Sequence, residues 1–257
     1  MSYNIEFLGP PGSGKSYIFE KLIYDLKKIK IIIKKPKDTI ILDYLKTKTD
    51  ISYARKLGYY FYFKNVKIDS KNIFNKEYKN FSNYINSYIK KDLKIKSISK
   101  IYNKYLSTTN YSFERKKRMK MNFLIDYFAT KINLDKKKIN LVEEGFFQKI
   151  YLNFFYKKKK IARNLLVKYL QNIPEPNLLI FIDTDIDICF ERTMYRKDGF
   201  LYNYKNISYL NKKRLFNEFL IDYAKKKRIK IIKINNNQFD KKKYNSLISH
   251  INKMIKK

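Results

Sequence analysis

The stretch Phe7 to Ser16, FLGPPGSGKS, holds three of the six glycines and two of the five prolines in a chain of 257 residues. Its spacing is Gly9, four residues from Pro10 to Ser13, then Gly14-Lys15-Ser16. The apolar run YNIEFL (3–8) before it reads as a short buried strand. Behind it, Ile18, Phe19, Leu22, Ile23 and Leu26 recur at helical spacing over 16–28. A glycine-rich turn between a strand and a helix is a phosphate cradle. Cβ atoms are excluded where an anion meets the main chain, and successive N–H groups point inward at a helix N-terminus. In such a loop the lysine reaches the β- and γ-phosphates and the serine hydroxyl binds Mg2+. In a chain so poor in glycine, their concentration at this junction argues against a chance match.

Outward from the loop, the sequence reads as alternating strands and helices. Ile29–Ile33 is β-branched and stops before Pro36, which predicts a second strand. Ile139–Val142 predicts a third and runs into Glu143-Glu144-Gly145. Residues 147–172 read as a helix ending before Pro174, and NLLIFID (177–183) as a strongly apolar strand. A helix through Cys189 and Arg192 follows. Then come a basic loop with Gly199, a helix through Phe219 and Tyr223, the strand IKIIKI (229–234) and a C-terminal helix. This order predicts a doubly wound α/β fold of about five parallel strands covered on both faces. The chain reads as a single domain over 1–257 with a helical insertion at about 43–134. Tyr and Phe recur there at helical intervals, and Tyr59–Phe63 reads as either helix or strand. Core packing explains those aromatics; base stacking is the alternative.

Composition bounds the function. Hydrophobic residues make up 44%, as in globular chains, and the formal net charge is +35. Lys, Ile, Asn, Tyr and Phe are all inflated while Trp is absent, the signature of AT-rich codon usage, which accounts for most of the lysine. The charge still favours anionic ligands, and a nucleic-acid partner is retained as the less favoured reading. The lone cysteine, Cys189, excludes an intrachain disulfide and a Cys-based zinc site, and is expected to be a buried thiol. The lone histidine, His250, is expected at the surface. No run of about 18 apolar residues spans a membrane and no signal-like segment opens the chain, so a cytoplasmic location is expected. A homodimer is compatible with the sequence.

The loop motif alone covers GTPases, motor ATPases and kinases. Asn103-Lys-Tyr-Leu lacks the aspartate of a guanine-reading motif, and NLVEEG (140–145) matches a motor ATPase only loosely. NLLIFIDTDIDICFERTMYRKDGF (177–200) resembles the strand, helix and lid of nucleoside monophosphate kinases, especially thymidylate-kinase-like proteins. Arg192 and Arg196 match the two arginines of that family's lid helix. LVEEGFFQ is similar to the Asp-Glu-Gly segment of a bacterial subgroup. The resemblance covers 1–28 and 139–235. It departs at Glu143-Glu144-Gly145, where thymidylate kinases carry Asp-Arg-(Tyr/His) and deoxynucleoside kinases Glu-Arg-Ser, so no arginine stands there to hold an acceptor phosphate.

From the motif and the resemblance together, ATP and Mg2+ are the expected cofactors and a small phosphate acceptor the expected partner. The expected ATP-binding residues are Gly9, Pro10, Pro11, Gly12, Ser13, Gly14, Lys15, Ser16 and Tyr17. The expected catalytic residues are Lys15, Glu143, Arg192 and Arg196, and the expected metal-binding residues Ser16, Glu143 and Glu144. Lys15 is expected to be exposed until phosphate arrives. One residue of register decides between Glu143 and Glu144. Arg115 to Arg118 form a basic cluster that reads as a solvated helix face or an anion site. Asp183 reads as a strand end. Asn235–Asn237 read as a polar turn or as the segment that wraps adenine in related kinases.

Overall fold

A computed structural model describes residues 3–28, 83, 93–107, 111–135, 139–149, 159–195 and 207–256. Four parallel strands form its sheet: β1 (Tyr3–Leu8), β2 (Ile139–Val142), β3 (Leu178–Asp183) and β4 (Lys230–Asn235), in the order β2-β1-β3-β4. Ile5 of β1 pairs with Leu141 of β2 and Leu178 of β3, so the strand feeding the glycine loop is central. The predicted strand at 29–33 lies outside the described residues, as do the Tyr59–Phe63 run, Arg196 and Gly199.

The strands are apolar without interruption because both faces of the sheet are covered. In β3, Leu178, Ile180 and Ile182 join one buried cluster, and Leu179 and Phe181 join the other. That is the period of two that sends successive side chains to opposite faces. The first face is covered by α1 (Lys15–Lys28) and, at the C-terminal end, Lys241–Lys256. Ile18, Phe19, Leu22 and Leu26 form the buried stripe of α1, and the Phe19 ring stands edge-on to Phe7 at 5.4 Å between centroids. Each such side chain contributes about 1.5–3 kcal/mol by leaving water.

The second face carries α2 (Leu93–Leu106), α3 (Phe113–Asp135), α4 (Lys159–Asn172) and, after α5 (Ile186–Met194), α6 (Ile207–Lys226). Here aromatic residues are core: Phe123 stacks on Tyr102 at 4.4 Å and meets Phe146 and Tyr169. The helical reading of this region therefore holds for its described residues. The first two turns of α3 hold Arg115–Arg118, largely exposed, with Ser112 Oγ accepting the Arg115 N–H and the Arg115 guanidinium lying 4.1 Å from the Tyr111 ring. The geometry is that of a capped, solvated helix face.

α6 ends in a tight reversal into β4. Arg228 adopts φ 58°, the Ile229 N–H bonds the Ala224 carbonyl and the Arg228 N–H bonds that of Lys225. The helix from Lys241 to Lys256 is designated α7, and it places Tyr244 against Asp25 of α1, the phenol donating at 2.7 Å. Among the described residues no helix is long and apolar enough to cross a membrane.

Candidate active site

β1 delivers the chain to Gly9 at the carboxyl edge of the sheet, and α1 starts at Lys15. Gly12 and Gly14 have φ of +79° and +81°, the left-handed region that side chains with a Cβ rarely adopt. The sequence argument placed glycine here for the approach of phosphate. The structure adds a reason from behind the loop. A Cβ on Gly12 would overlap the Cys189 carbonyl, and one on Gly14 would overlap the Asn236 side-chain amide. The loop is thus seated tightly on α5 and on the turn after β4.

Three buried groups do the seating. Asn236 Nδ2 and Thr184 Oγ1 both donate to the Ser13 carbonyl, at 2.7 and 3.0 Å. Gln148 clasps Gly9 from the other side: its Oε1 accepts the Gly9 N–H and its Nε2 donates to the Gly9 carbonyl, at 3.2 and 3.1 Å. Of the Asn235–Asn237 turn, Asn236 is thereby a brace under the phosphate loop. Asn237 accepts the Asp185 N–H at 2.8 Å at the start of α5.

β2 ends beside the loop, and the turn after it presents two carboxylates. Ser16 Oγ donates to Glu143 Oε1 at 2.5 Å, and Lys15 Nζ lies 4.0 Å from Glu144 Oε1. The fold therefore brings together Lys15, Ser16, Glu143 and Glu144. The two neighbouring acids face different residues of the loop. Glu6 fixes the turn from below. This carboxylate, wholly buried in β1, accepts the Phe147 N–H at 3.1 Å and the Asn4 side-chain amide at 3.2 Å. A Cβ on Gly145 would overlap it, which is why the turn closes on glycine. Burial pushes the Glu6 carboxyl up to about 7, against the opposing pull of the Phe147 and Phe146 N–H groups.

Lys15 departs from expectation. It is only 9% exposed, and its charge, after burial, helps lower the pKa of Lys213 on α6 to about 7. Lys213 was not singled out in the sequence; nothing marks it among 58 Lys and Arg residues. Nor were Glu6, Gln148 and Thr184, whose partners are set by tertiary contact. Tyr17 is exposed on α1, with its ring edge-on to Phe239 at 6.1 Å.

Arg192 is brought under the loop. Its Nη1 and Nη2 both donate to the Asn236 carbonyl at 3.0 Å, and Nη2 also to that of Asn237 at 3.3 Å. Cys189 is a buried thiol, as expected, its pKa raised to about 12 by burial. His250 is partly exposed on α7, its pKa lowered by burial and by Lys230 and Lys253. Asp183 closes β3 with an ion pair to Lys233 at 2.7 Å.

A parallel sheet wrapped by helices on both faces, with a G-x-x-x-x-G-K-S loop leading from its central strand into α1, decides the fold. It is that of a P-loop NTPase. No family profile matches the chain, and no curated protein does. Among solved structures, deoxyadenosine kinase from M. mycoides with bound dATP aligns at 12% identity with a TM-score of 0.47. That alignment covers 97% of this chain and 99% of the other.

Proposed function

We propose that the chain is an ATP- and Mg2+-dependent phosphotransferase acting on a small acceptor: a nucleotide, a nucleoside or a sugar-like metabolite. The observation that carries this is the Ser16 hydroxyl meeting the Glu143 carboxylate across the mouth of the glycine loop. A hydroxyl and a carboxylate oxygen side by side are hard donors suited to Mg2+. That ion is typically held by one or two carboxylates plus phosphate oxygens and water, not by an all-protein cage. Consistently, no group of three His, Cys, Asp or Glu among the described residues forms such a cage. Bound there, Mg2+ neutralises charge on the phosphate oxygens.

The chain's own residues have the remaining work. Gly12, Gly14, Lys15 and Ser16 offer N–H groups to the β-phosphate, with Lys15 as the counter-charge for the transferred group. Glu143 holds the metal with Ser16 or takes the proton of the acceptor hydroxyl. Glu144 sets the position of Lys15. Arg192 fastens α5 beneath the loop through the Asn236 and Asn237 carbonyls, and Arg196, in the lid expected beyond α5, is the cation that follows the moving charge. Phosphoryl transfer needs positioning and charge neutralisation far more than covalent participation by the protein.

The test is an ADP-release screen of the chain with ATP and Mg2+ against nucleosides, nucleoside monophosphates and sugars, with Lys15→Ala alongside. ADP formed with one acceptor class by the wild type, and lost in the variant, supports the reading. ATP hydrolysis that appears only with DNA or RNA and falls steeply with salt would overturn it, in favour of a nucleic-acid ATPase using the +35 charge.

A further inference from the structure

The segment from Glu143 to Gln148 touches the glycine loop at both of its ends. At the exit, Ser16 Oγ donates to Glu143 Oε1 at 2.5 Å. At the entry, Gln148 Oε1 accepts the Gly9 N–H and Gln148 Nε2 donates to the Gly9 carbonyl, at 3.2 and 3.1 Å. Between these anchors Glu144 faces Lys15. The segment is short and stiff. The Lys149 N–H bonds the Gly145 carbonyl, closing one helical turn, and Glu6 holds the Phe147 N–H from below. It is a strap that closes a ring with the loop.

Gln148 suits the entry anchor chemically. It is buried, and both ends of its amide are engaged by a single residue. β1 pairs with β2 as far as Glu6 and with β3 as far as Leu8, so Gly9 lies just past both ladders. A side-chain amide carries a donor and an acceptor in one plane and stands in for a strand there. On its other side Gly9 is packed tightly: a Cβ would come within 2.8 Å of Ser13 Oγ and 2.9 Å of the Ile182 carbonyl. The Ser16 hydroxyl at the exit is one rotatable contact, whereas the clasp at Gly9 fixes two directions at once. A leucine at 148 would fill the space and withdraw both hydrogen bonds from Gly9.

We propose that Gln148 is a positioning residue for the metal-bound nucleotide. It locks the entry of the loop to the strap that carries Glu143, and so sets the spacing at which Ser16 and Glu143 take Mg2+. It touches neither substrate nor metal. It acts through Gly9 at one end and through the 145–149 helical turn at the other. This rests on the phosphotransferase reading above, in which Ser16 and Glu143 share the metal. The quantity under its control is the coupling between Mg2+ and ATP, because that coupling depends on loop and strap holding register.

The experiment is calorimetric titration of the whole chain with ATP at pH 8, in EDTA and in excess Mg2+, on the wild type, Gln148→Leu, Gln148→Glu and Tyr244→Phe. The readout is the factor by which Mg2+ tightens ATP. Loss of two hydrogen bonds predicts that Gln148→Leu shrinks this factor by roughly 10-fold, while metal-free ATP affinity changes by less than about three-fold. Gln148→Glu keeps the size and the acceptor for the Gly9 N–H but sets a carboxylate against the Gly9 carbonyl, so it should lose the factor as well. Tyr244→Phe removes the remote hydrogen bond to Asp25 and should keep the wild-type factor. An unchanged factor in folded Gln148→Leu or Gln148→Glu overturns the proposal. So does an equal loss in Tyr244→Phe, which would trace the effect to general stability. Should the leucine variant not fold, Gln148→Met takes its place with the same outcomes. A wild-type chain that binds no ATP, or binds it indifferently to Mg2+, would instead overturn the phosphotransferase reading itself.

Discussion

Replacing Glu6 by glutamine removes a buried titratable group from the central strand while keeping its shape. In the folded chain the Glu6 carboxyl titrates near 7, against an ordinary value of 4.5, mainly because burial penalises the anion. The folded state therefore holds this proton over a range in which the unfolded chain has lost it. A raised carboxyl contributes stability in full below about pH 4.5, and that contribution is lost as pH rises through about 7. A displacement of this size is worth roughly 3 kcal/mol between its limits, of which about 2.5 kcal/mol falls between pH 5 and pH 8. Glutamine does not titrate. Its oxygen can still accept the Phe147 N–H, while the Asn4 side-chain amide loses the acceptor it had in Glu6 Oε1 unless it turns over. Urea denaturation followed by circular dichroism at pH 5, 6, 7 and 8 measures the difference, and overall charge effects cancel between the two proteins. Glu6→Gln is expected to gain on the wild type by about 2–3 kcal/mol across that range. A difference that stays flat with pH, or shrinks toward pH 8, would refute the claim that burial holds this carboxyl protonated.

Four further outcomes follow from the site. Lys15→Ala should keep its circular dichroism spectrum, since it removes a buried charge beside Lys213, while ATP turnover falls by roughly 10²-fold or more; unchanged turnover would remove Lys15 from the site. Glu143→Gln should bind ATP almost normally with turnover down by roughly 10²–10⁴, the range of a lost general base or its equivalent. Glu144→Gln should lose less, because its oxygen stands 4.0 Å from Lys15 and makes no contact with Ser16; the reverse ranking in steady-state kinetics would exchange the two roles. Arg192→Lys cannot serve both the Asn236 and Asn237 carbonyls with a planar fork, so thermal or urea unfolding should show a loss of about 1–3 kcal/mol. Unaltered stability together with a collapse in turnover would show that Arg192 leaves those carbonyls to act on the phosphates.

The glycine loop, its flanking strand and helix, and the strands at 139–142, 177–183 and 229–234 were legible in the sequence because their signals are local. A left-handed turn demands glycine within a few residues, and a strand buried on both faces is apolar along its own length. Observed bounds differ from these readings by one residue at most. The choice between Glu143 and Glu144 was not local. A shift of one residue turns a side chain to a different neighbour, and only β2 lying parallel to β1 sets Glu143 opposite Ser16, 127 positions away. The braces were hidden for a related reason: Gln148 on Gly9, Asn236 on Ser13 and Glu6 under Gly145 join residues from distant parts of the chain. An isolated Gln, Asn or Glu gives no sign of its partner. Lys213 was masked by composition, since one lysine among so many carries no information until its helix is docked. Arg192 was found by its motif, but its hydrogen bonds depend on where the turn after β4 comes to rest. Local sequence thus determined that a phosphate loop exists and what it is made of. The packing of α5, α6 and the 143–145 turn against it decided which side chains face it, because burial and charge proximity are properties of the assembled fold.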